Sequence, residues 1–162
     1  EARRNLQQDG GEMNRYIVRH GEAEAGNNDV ARMLTDRGRI EVGSVAAAMS
    51  QRGAVVSQIR HSGRARAQET AEIFAGVLTP SAGVIATPGI HPEDPVDPIA
   101  LSLYGERDSF MLVGHLPFIA RLVGLLTVGD ANRAPVNFST ATIACLQGED
   151  SQWELVWTES PG

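Results

Sequence analysis

Arginine and histidine residues occur in separate segments of the chain in a combination suited to a phosphoryl group. Arg19 and His20 are adjacent, Arg66 follows much later, and His115 comes directly after Gly114. Phosphoryl transfer requires a nucleophile behind phosphorus and fixed positive charge around the equatorial oxygens, because positioning and electrostatic stabilisation supply most of the catalysis. Two imidazoles and two guanidinium groups meet both needs, provided that the fold brings them together.

The sequence pattern also predicts the elements that would position these groups. Short β-branched and aromatic runs predict strands, and apolar residues at helical spacing predict the helices between them. The predicted strands cover residues 16–18, 55–61, 84–87, 110–113, 140–146 and 153–157, and the predicted helices cover residues 36–53, 64–78, 98–104 and 117–128. We therefore expect an α/β fold, a three-layer α/β/α sandwich whose mostly parallel central sheet carries an antiparallel edge hairpin.

Three of the predicted strands end at residues that can do chemistry. The first strand, which we expect to be central, runs into Arg19 and His20, the second ends at His61, and a later one ends at Gly114 and His115. Ligands of open α/β sheets bind beyond the carboxyl ends of the strands. The predicted topology therefore places these side chains at one edge of the sheet.

Composition restricts the classes of function. The chain has 162 residues, which suits one domain, and its formal net charge of −6 disfavours nucleic acid and anionic membranes as partners. The apolar run at residues 116–126 is too short to span a bilayer. The lone Cys145 lies in an apolar stretch, which predicts a buried structural thiol and a cytoplasmic setting. We expect residues 1–12 to be a tail, either disordered or foreign to the native protein, and residues 13–162 to form a single domain.

The sequence predicts a reaction without a metal or an organic cofactor. Its four histidines are scattered, and its single cysteine is beside none of them, so no metal-ligand spacing is present. The loops at Gly21 and Gly114 lack the spacing of a nucleotide-binding loop, which argues against ATP and NAD.

Four motifs, in order along the chain, resemble those of the histidine phosphatase superfamily. They are Arg19-His20-Gly21, Leu34-Thr35-Asp36-Arg37-Gly38, the segment from Ser62 through Arg66 and Ala67 to Thr70 and Ala71, and Val113-Gly114-His115 with Pro117. Gly63 stands where proline is usual in the family and Glu69 where glutamine is usual, but neither position supplies a catalytic group. The compact size and the segment 138–140 look most like the small bacterial phosphohistidine phosphatases. The resemblance implies a phosphatase with a covalent phosphohistidine intermediate.

The chemistry of the residues suggests a role for each of them. We expect His20 to attack phosphorus through one unprotonated ring nitrogen, while its other nitrogen donates to a partner that the sequence does not identify. Arg19 and Arg66 carry planar guanidinium forks that suit bidentate phosphate contacts. A protonated His115 would add a fourth donor, and Gly21 would let the backbone approach the anion closely.

Some of these assignments have structural alternatives. Arg64 is a rival of Arg66 on the same predicted helix. His115 would be a satisfied core histidine if it lay away from the site. Ser62 either contacts phosphate or caps the helix, and the cap is favoured. His61 is expected to be structural.

The proton donor for a leaving group is the least defined part of the site. Glu93 and Asp94 lie in the proline-rich loop at residues 89–99, and His91 in the same loop is a third candidate. A phosphoester needs such an acid to protonate its leaving alkoxide. Phosphohistidine does not, because its imidazole leaves as a neutral group once its other ring nitrogen is protonated.

These observations predict a metal-independent phosphatase that acts on phosphohistidine in a phosphorylated protein and releases inorganic phosphate. A phosphatase of small phosphomonoesters is the alternative. In a different class, a non-catalytic phosphoprotein-binding module would keep the basic pocket without turnover, although the intact nucleophile argues against it.

Two further pairs of residues are expected to have no chemical role. Glu22 and Glu24 should be solvated, since a carboxylate facing the site would repel an anionic substrate. Trp153 and Trp157 have the spacing of one strand face, which predicts that they cover the sheet and do not stack on bases.

Overall fold

The computed structural model describes residues 13–150 and 152–162, so the predicted tail at residues 1–12 lies outside the described residues. Strands and helices alternate along most of the described chain. They are β1 (Met13–Arg19), α1 (Asp36–Gln51), β2 (Gln58–His61), α2 (Ala65–Leu78), β3 (Val84–Ala86), α3 (Asp97–Ser102), β4 (Phe110–Gly114), α4 (Phe118–Val128), β5 (Ile143–Glu149) and β6 (Gln152–Glu159), with a short 3-10 helix at Asp29–Ala31.

One mixed sheet joins the strands in the order β3-β2-β4-β1-β5-β6. β1 lies inside the sheet, parallel to β4 on one side and antiparallel to β5 on the other. β2 pairs in parallel with β3 and β4, and β5 pairs with β6 as an antiparallel hairpin. The expected α/β fold, with its mostly parallel sheet and antiparallel edge hairpin, is confirmed.

Two strands begin later than the sequence pattern predicted. β2 begins at Gln58 because its partners start there: Gln58 pairs with Phe110 of β4, and Ile59 pairs with Val84 of β3. β5 begins at Ile143 because the chain before it turns around the end of β1, where the N–H of Ala141 donates to backbone carbonyls.

Helices cover both faces of the sheet through two separate apolar clusters. On one face, α1 and α2 contribute Val42 and Phe74, and on the other α4 contributes Phe118 and Leu122. Cys145 is buried in the first cluster, as predicted, and burial raises the pKa of its thiol to about 12. None of the helices in the described ranges is long and apolar enough to cross a membrane.

The prediction that Trp153 and Trp157 share one strand face is wrong. Cys145 pairs with Trp157 but the next residue, Leu146, pairs with Leu155, so Val156 is an extra residue in β6. Such a β-bulge reverses the alternation of side chains beyond it. Trp153 accordingly packs in the cluster under α4, whereas Trp157 packs against the cluster on the opposite face.

Candidate active site

The ends of β1 and β4 meet at the residues that carry the chemistry. Arg19 pairs with Gly114 in the last register position of the two strands, and the N–H of His20 donates to the carbonyl oxygen of Gly114 over 3.1 Å. His115 then lies beside His20, with the two ring centroids 5.0 Å apart. A Cβ atom at Gly114 would lie 2.8 Å from Cγ2 of Ile119, so the start of α4 requires a glycine here.

Two hydrogen bonds set the direction of the His20 ring. Its Nδ1 lies 2.7 Å from the carbonyl oxygen of Gly21, so Nδ1 carries the proton and donates. Nε2 accepts from the Nε–H of Arg66 over 3.3 Å. Burial, and then the charges of Arg66 and Arg19, lower the pKa of His20 to about 4, although the bond to Gly21 opposes this. At neutral pH the ring is therefore uncharged and its Nε2 holds a lone pair.

Gly21 contributes to the site through its carbonyl group and its missing side chain. Its N–H donates to Oγ1 of Thr70 over 3.0 Å, so this amide is engaged within the protein. A Cβ atom at Gly21 would lie 2.7 Å from Cγ2 of Val42 in α1. The close approach that the glycine permits is therefore to α1, and the carbonyl oxygen is the partner of His20 that the sequence did not identify.

Ser62 holds the ring of His115. Its Oγ lies 2.6 Å from Nε2 of His115 and accepts from the N–H of Arg64 over 3.3 Å. No side chain caps α2, so the favoured cap role of Ser62 is wrong, and its hydroxyl instead positions the imidazole. Burial, followed by the neighbouring His20 and Arg66, lowers the pKa of His115 to about 3. The ring is therefore neutral in the free protein. Its Nδ1 has no hydrogen-bond partner among the described residues.

Backbone carbonyls anchor the two predicted arginines. Nη1 of Arg19 donates to the carbonyl oxygen of Phe138 over 3.0 Å, and Nη1 of Arg66 donates to that of Asp29 over 2.7 Å. Burial lowers the pKa of both guanidinium groups from the usual 12.5. Within the described ranges, Nε of Arg19 has no partner. Phe138 thereby gives the segment before β5 a direct role in the site.

The carboxylate of Asp29 holds several guanidinium groups together at the edge of the site. Its oxygens lie 2.9 Å from Arg32 and 3.3 Å from Arg66, and Arg64 also pairs with it. The hydrogen bond from Arg32 is the main reason why the pKa of Asp29 lies below its usual 3.8. Arg66 is thus fixed from two sides, by Asp29 and by His20.

The four predicted catalytic residues line one cavity of about 390 Å³. Its wall consists of Arg19, His20, Glu22, Ala23, Arg32, Arg66, Pro92, His115, Leu116 and Thr140. This volume suits a small ligand or one side chain of a protein. Among the residues that the structure describes, no group of three histidine, cysteine, aspartate or glutamate side chains could hold a metal ion.

Two charged residues of this wall were not predicted. Glu22 was expected to be solvated, and this is wrong: it is half-buried and faces the cavity, because the N–H of Thr35 donates to its carbonyl oxygen over 2.9 Å and folds the loop back. Glu24 is exposed, as expected. Arg32 reaches the cavity from the same loop, and no feature of its sequence position distinguished it from other loop arginines.

The proposed proton donors of the proline-rich loop lie outside the cavity wall. Glu93 is exposed, and Oδ2 of Asp94 accepts from the backbone N–H of His91 over 2.8 Å. The exposed ring of His91 accepts from Nε of Arg64 over 3.3 Å. Only Pro92 of this loop lines the cavity. The structure therefore brings together the nucleophile and the cationic groups, and these three candidates are not part of the cavity wall.

Comparison with known proteins assigns this arrangement to a family. The model of the histidine phosphatase superfamily (branch 1) matches residues 15–91. Among solved structures, the protein histidine phosphatase SixA complexed with tungstate is 25% identical and has a TM-score of 0.84 over 92% of this chain and 97% of that chain. The chain therefore matches the histidine phosphatase superfamily over residues 15–91, and as a whole it has the fold of SixA.

Other solved structures share this fold. SixA from Agrobacterium tumefaciens is 23% identical, with a TM-score of 0.77 over 93% of this chain and 99% of that chain. A phosphoglycerate mutase from Plasmodium falciparum is 20% identical, with a TM-score of 0.69 over 91% of this chain and 90% of that chain. No match was found among curated protein sequences. The predicted family and the predicted class of enzyme, a phosphatase, are confirmed, but the fold alone does not select a substrate.

The second of the four sequence motifs, at residues 34–38, holds the loop that carries Glu22. Oγ1 of Thr35 accepts from the N–H of Gly38 over 2.9 Å and so caps α1. A Cβ atom at Gly38 would lie 2.2 Å from the carbonyl oxygen of Glu22. The motif therefore needs glycine because the backbone after His20 packs directly on the first turn of α1.

We expect Gly38→Ala to lower the free energy of unfolding by about 1–2 kcal/mol, because the clash with a fixed carbonyl outweighs the helix preference of alanine. Gly43→Ala in the same helix is the control, since a Cβ atom there meets nothing within 4 Å. The control should be stabilised by about 0.5–1 kcal/mol. Chemical denaturation would measure both, and equal stability of the two variants would contradict the explanation.

We expect the free energy of unfolding to fall as the pH drops below 6.5, before most carboxylates take up a proton. The pKa values of His20 and His115 are lowered to about 4 and about 3, whereas both rings take up a proton near 6.5 when unfolded. Their contribution is complete above pH 6.5 and is lost as the pH falls, by about 1.4 kcal/mol per pH unit for each ring. The free energy of unfolding, measured by chemical denaturation between pH 7 and pH 4.5, should show this slope. His115→Gln should remove about half of it, and a flat profile for the wild type would rule out two neutral buried rings.

Proposed function

We propose that the protein is a phosphohistidine phosphatase in which His20 accepts the phosphoryl group and water then releases it as phosphate. The observation that carries the proposal is the pair of bonds on the His20 ring. Nδ1–H donates to Gly21, and the unprotonated Nε2 faces Arg66 in the wall of the cavity. An imidazole held in this way is prepared to attack phosphorus.

In the first step, Arg19 and Arg66 bind the equatorial oxygens of the phosphoryl group. The lone pair on Nε2 of His20 forms a bond to phosphorus as the bond to the substrate nitrogen breaks, and the bonding electrons return to the substrate imidazole. Guanidinium groups stabilise the charge on the oxygens throughout the transfer. Because these groups supply the positive charge, we propose that the reaction needs no metal ion.

In the second step, a water molecule attacks phosphorus and the bond to Nε2 breaks. The imidazole of His20 leaves as a neutral ring, because its Nδ1 keeps the proton that it donates to the carbonyl oxygen of Gly21. Inorganic phosphate is the product. A bound phosphate dianion also favours a protonated His115, which would then donate to a phosphate oxygen.

The substrate that we propose is a phosphohistidine side chain of another protein. Its imidazole leaves without a dedicated acid, and neither Glu93 nor Asp94 lines the cavity. Small phosphomonoesters are the second candidate, because Glu22 does line the cavity and would be within the site if an alkoxide needed a proton. A non-catalytic binding module is disfavoured, since it would not need a nucleophile with a defined tautomer.

Phosphate release from a phosphohistidine peptide, an aryl phosphate and an alkyl phosphate tests the proposal. We expect the phosphohistidine peptide to have the highest kcat/KM, and the alkyl phosphate to be the poorest substrate because its leaving group is the most basic. Equal or better rates on alkyl phosphates would contradict the preference for N–P bonds. Binding of the phosphorylated peptide without any phosphate release would instead identify a binding module.

A further inference from the structure

Glu22 is the carboxylate among the residues that line the cavity, and the steps described above give it no role. A negative charge beside an anionic substrate weakens binding unless it interacts with something other than the phosphoryl group. The wall of the cavity also carries Arg19, Arg32 and Arg66. The position of Glu22 therefore needs an explanation in terms of the part of the substrate that is not phosphate.

The carboxylate of Glu22 is held rigidly. Its Oε1 accepts from the hydroxyl of Thr35 over 2.7 Å, and its backbone carbonyl accepts from the N–H of the same residue over 2.9 Å. Thr35 is in turn the cap of α1, and Gly38 leaves room for the backbone of Glu22. Because one carboxylate oxygen is fixed in this way, the other is available to a ligand in a defined position.

A phosphohistidine substrate needs an acceptor at its second ring nitrogen. Cleavage of its N–P bond releases a good leaving group only when that nitrogen is protonated, since the ring then departs as neutral imidazole. The protonated ring carries a positive charge and one N–H donor. A carboxylate that accepts from this N–H stabilises the protonated form, as carboxylates do for catalytic histidines.

We propose that Glu22 is a specificity-determining residue, whose carboxylate accepts a hydrogen bond from the protonated second nitrogen of the phosphohistidine that is being cleaved. The inference rests on the proposed function and goes further, because it names the protonated ring as the form of the substrate that the site selects. The proton comes from solvent before the transfer. It stays on the substrate ring when the N–P bond breaks, so no proton moves to or from Glu22.

With this assignment, the substrate imidazole and the His20 imidazole each have an acceptor for the proton on the second ring nitrogen. When His20 is phosphorylated on Nε2, its own second nitrogen donates to the carbonyl oxygen of Gly21. Glu22 is the next residue along the chain and provides the equivalent acceptor for the substrate ring. Transfer from one histidine to another then leaves each imidazole with the same kind of partner when it acts as leaving group.

The experiment compares wild type, Glu22→Gln and Glu24→Gln on a phosphohistidine peptide and on an aryl phosphate. Glutamine at position 22 can accept from Thr35 with its amide oxygen, which turns its NH₂ group towards the ligand and gives the substrate N–H no acceptor. Glu24→Gln is the matched control, because it removes the same charge from an exposed side chain of the same loop. It should leave the preference between the two substrates unchanged.

We expect Glu22→Gln to lower kcat/KM for the phosphohistidine peptide by about tenfold or more, since a charge-assisted hydrogen bond is lost. For the aryl phosphate anion, kcat/KM should rise, because a nearby negative charge is removed. The alkaline limb of the kcat profile on the peptide should move to lower pH, because the bound substrate ring loses its proton more easily. A purely structural role would not move that limb.

Several results would overturn the inference. Equal losses on both substrates would indicate a structural role, and a larger loss on the aryl phosphate would indicate that Glu22 is a general acid for esters. If the wild type cleaves the peptide and Glu22→Gln keeps the same preference, the inference fails while the proposed function stands. If the wild type releases phosphate from the ester but not from the peptide, the proposed function itself fails.

Discussion

Replacement of His20 by alanine is expected to lower kcat by about four orders of magnitude or more and to abolish the phosphoenzyme, because no other side chain can take over as nucleophile. The alternative nucleophile nearest in space is His115, with its ring centroid 5.0 Å from that of His20. Its ring is held elsewhere, through Nε2 and the hydroxyl of Ser62, so it would have to leave this contact to take the place of the His20 ring. The cavity and its guanidinium groups remain in the variant, which should therefore still bind phosphorylated substrate.

Rapid acid or alkaline quenching after mixing with labelled substrate would measure the intermediate. Phosphohistidine is labile in acid and stable in alkali, so the label should survive only the alkaline quench in the wild type and be absent in His20→Ala. His61→Asn is the control, since His61 is buried but does not line the cavity, and asparagine can still accept from the N–H of Gly63. A labelled phosphoenzyme in His20→Ala would exclude His20 as the phosphoryl acceptor.

The fold followed from the sequence because each local pattern agreed with the arrangement of the whole sheet. Apolar runs such as the one at Phe110 end in turn residues, and the helices between them have apolar faces, which together require parallel strands. The β-bulge at Val156 could not be predicted in this way. It depends on how β6 pairs with β5, and strand pairing is a property of two segments that neither sequence shows alone.

The candidate site was predictable to the extent that it lies at strand ends. Arg19 ends β1, and His20 and His115 directly follow β1 and β4, so the topology alone brings them together. Glu22 and Asp29 were not predictable, because their positions depend on how an irregular loop folds back on α1 and α2. Loop conformation is set by tertiary hydrogen bonds, and a sequence pattern gives little information about these.

The roles of the glycines were likewise predictable only in part. The sequence predicted that Gly21 would let the backbone approach an anion, whereas the close approach is to Val42 and the carbonyl oxygen orients His20. A glycine in a motif indicates that two groups lie close together, but not which two. Gly38 illustrates this as well, because its neighbour is the backbone of Glu22, which precedes it in the chain by a whole loop.

Replacement of Arg66 by lysine is expected to lower kcat/KM by about two to three orders of magnitude, although the positive charge is kept. The guanidinium of Arg66 donates at the same time to Nε2 of His20 and to the carbonyl oxygen of Asp29. An ammonium group is a point donor on a flexible stem and cannot hold both while it contacts a phosphate oxygen. We expect most of the loss in kcat, because the nucleophile and the phosphoryl group would no longer be aligned by one rigid group.

Arg64→Lys is the matched control, since Arg64 lies two positions earlier, pairs with the same Asp29 and does not line the cavity. It should change kcat/KM by less than about threefold. Inhibition by tungstate separates anion binding from alignment of the nucleophile. If Arg66→Lys binds tungstate only slightly less tightly but turns over substrate far more slowly, the guanidinium of Arg66 acts by positioning. Equal effects of the two substitutions would mean that net charge near Asp29, and not the geometry of one guanidinium, determines the rate.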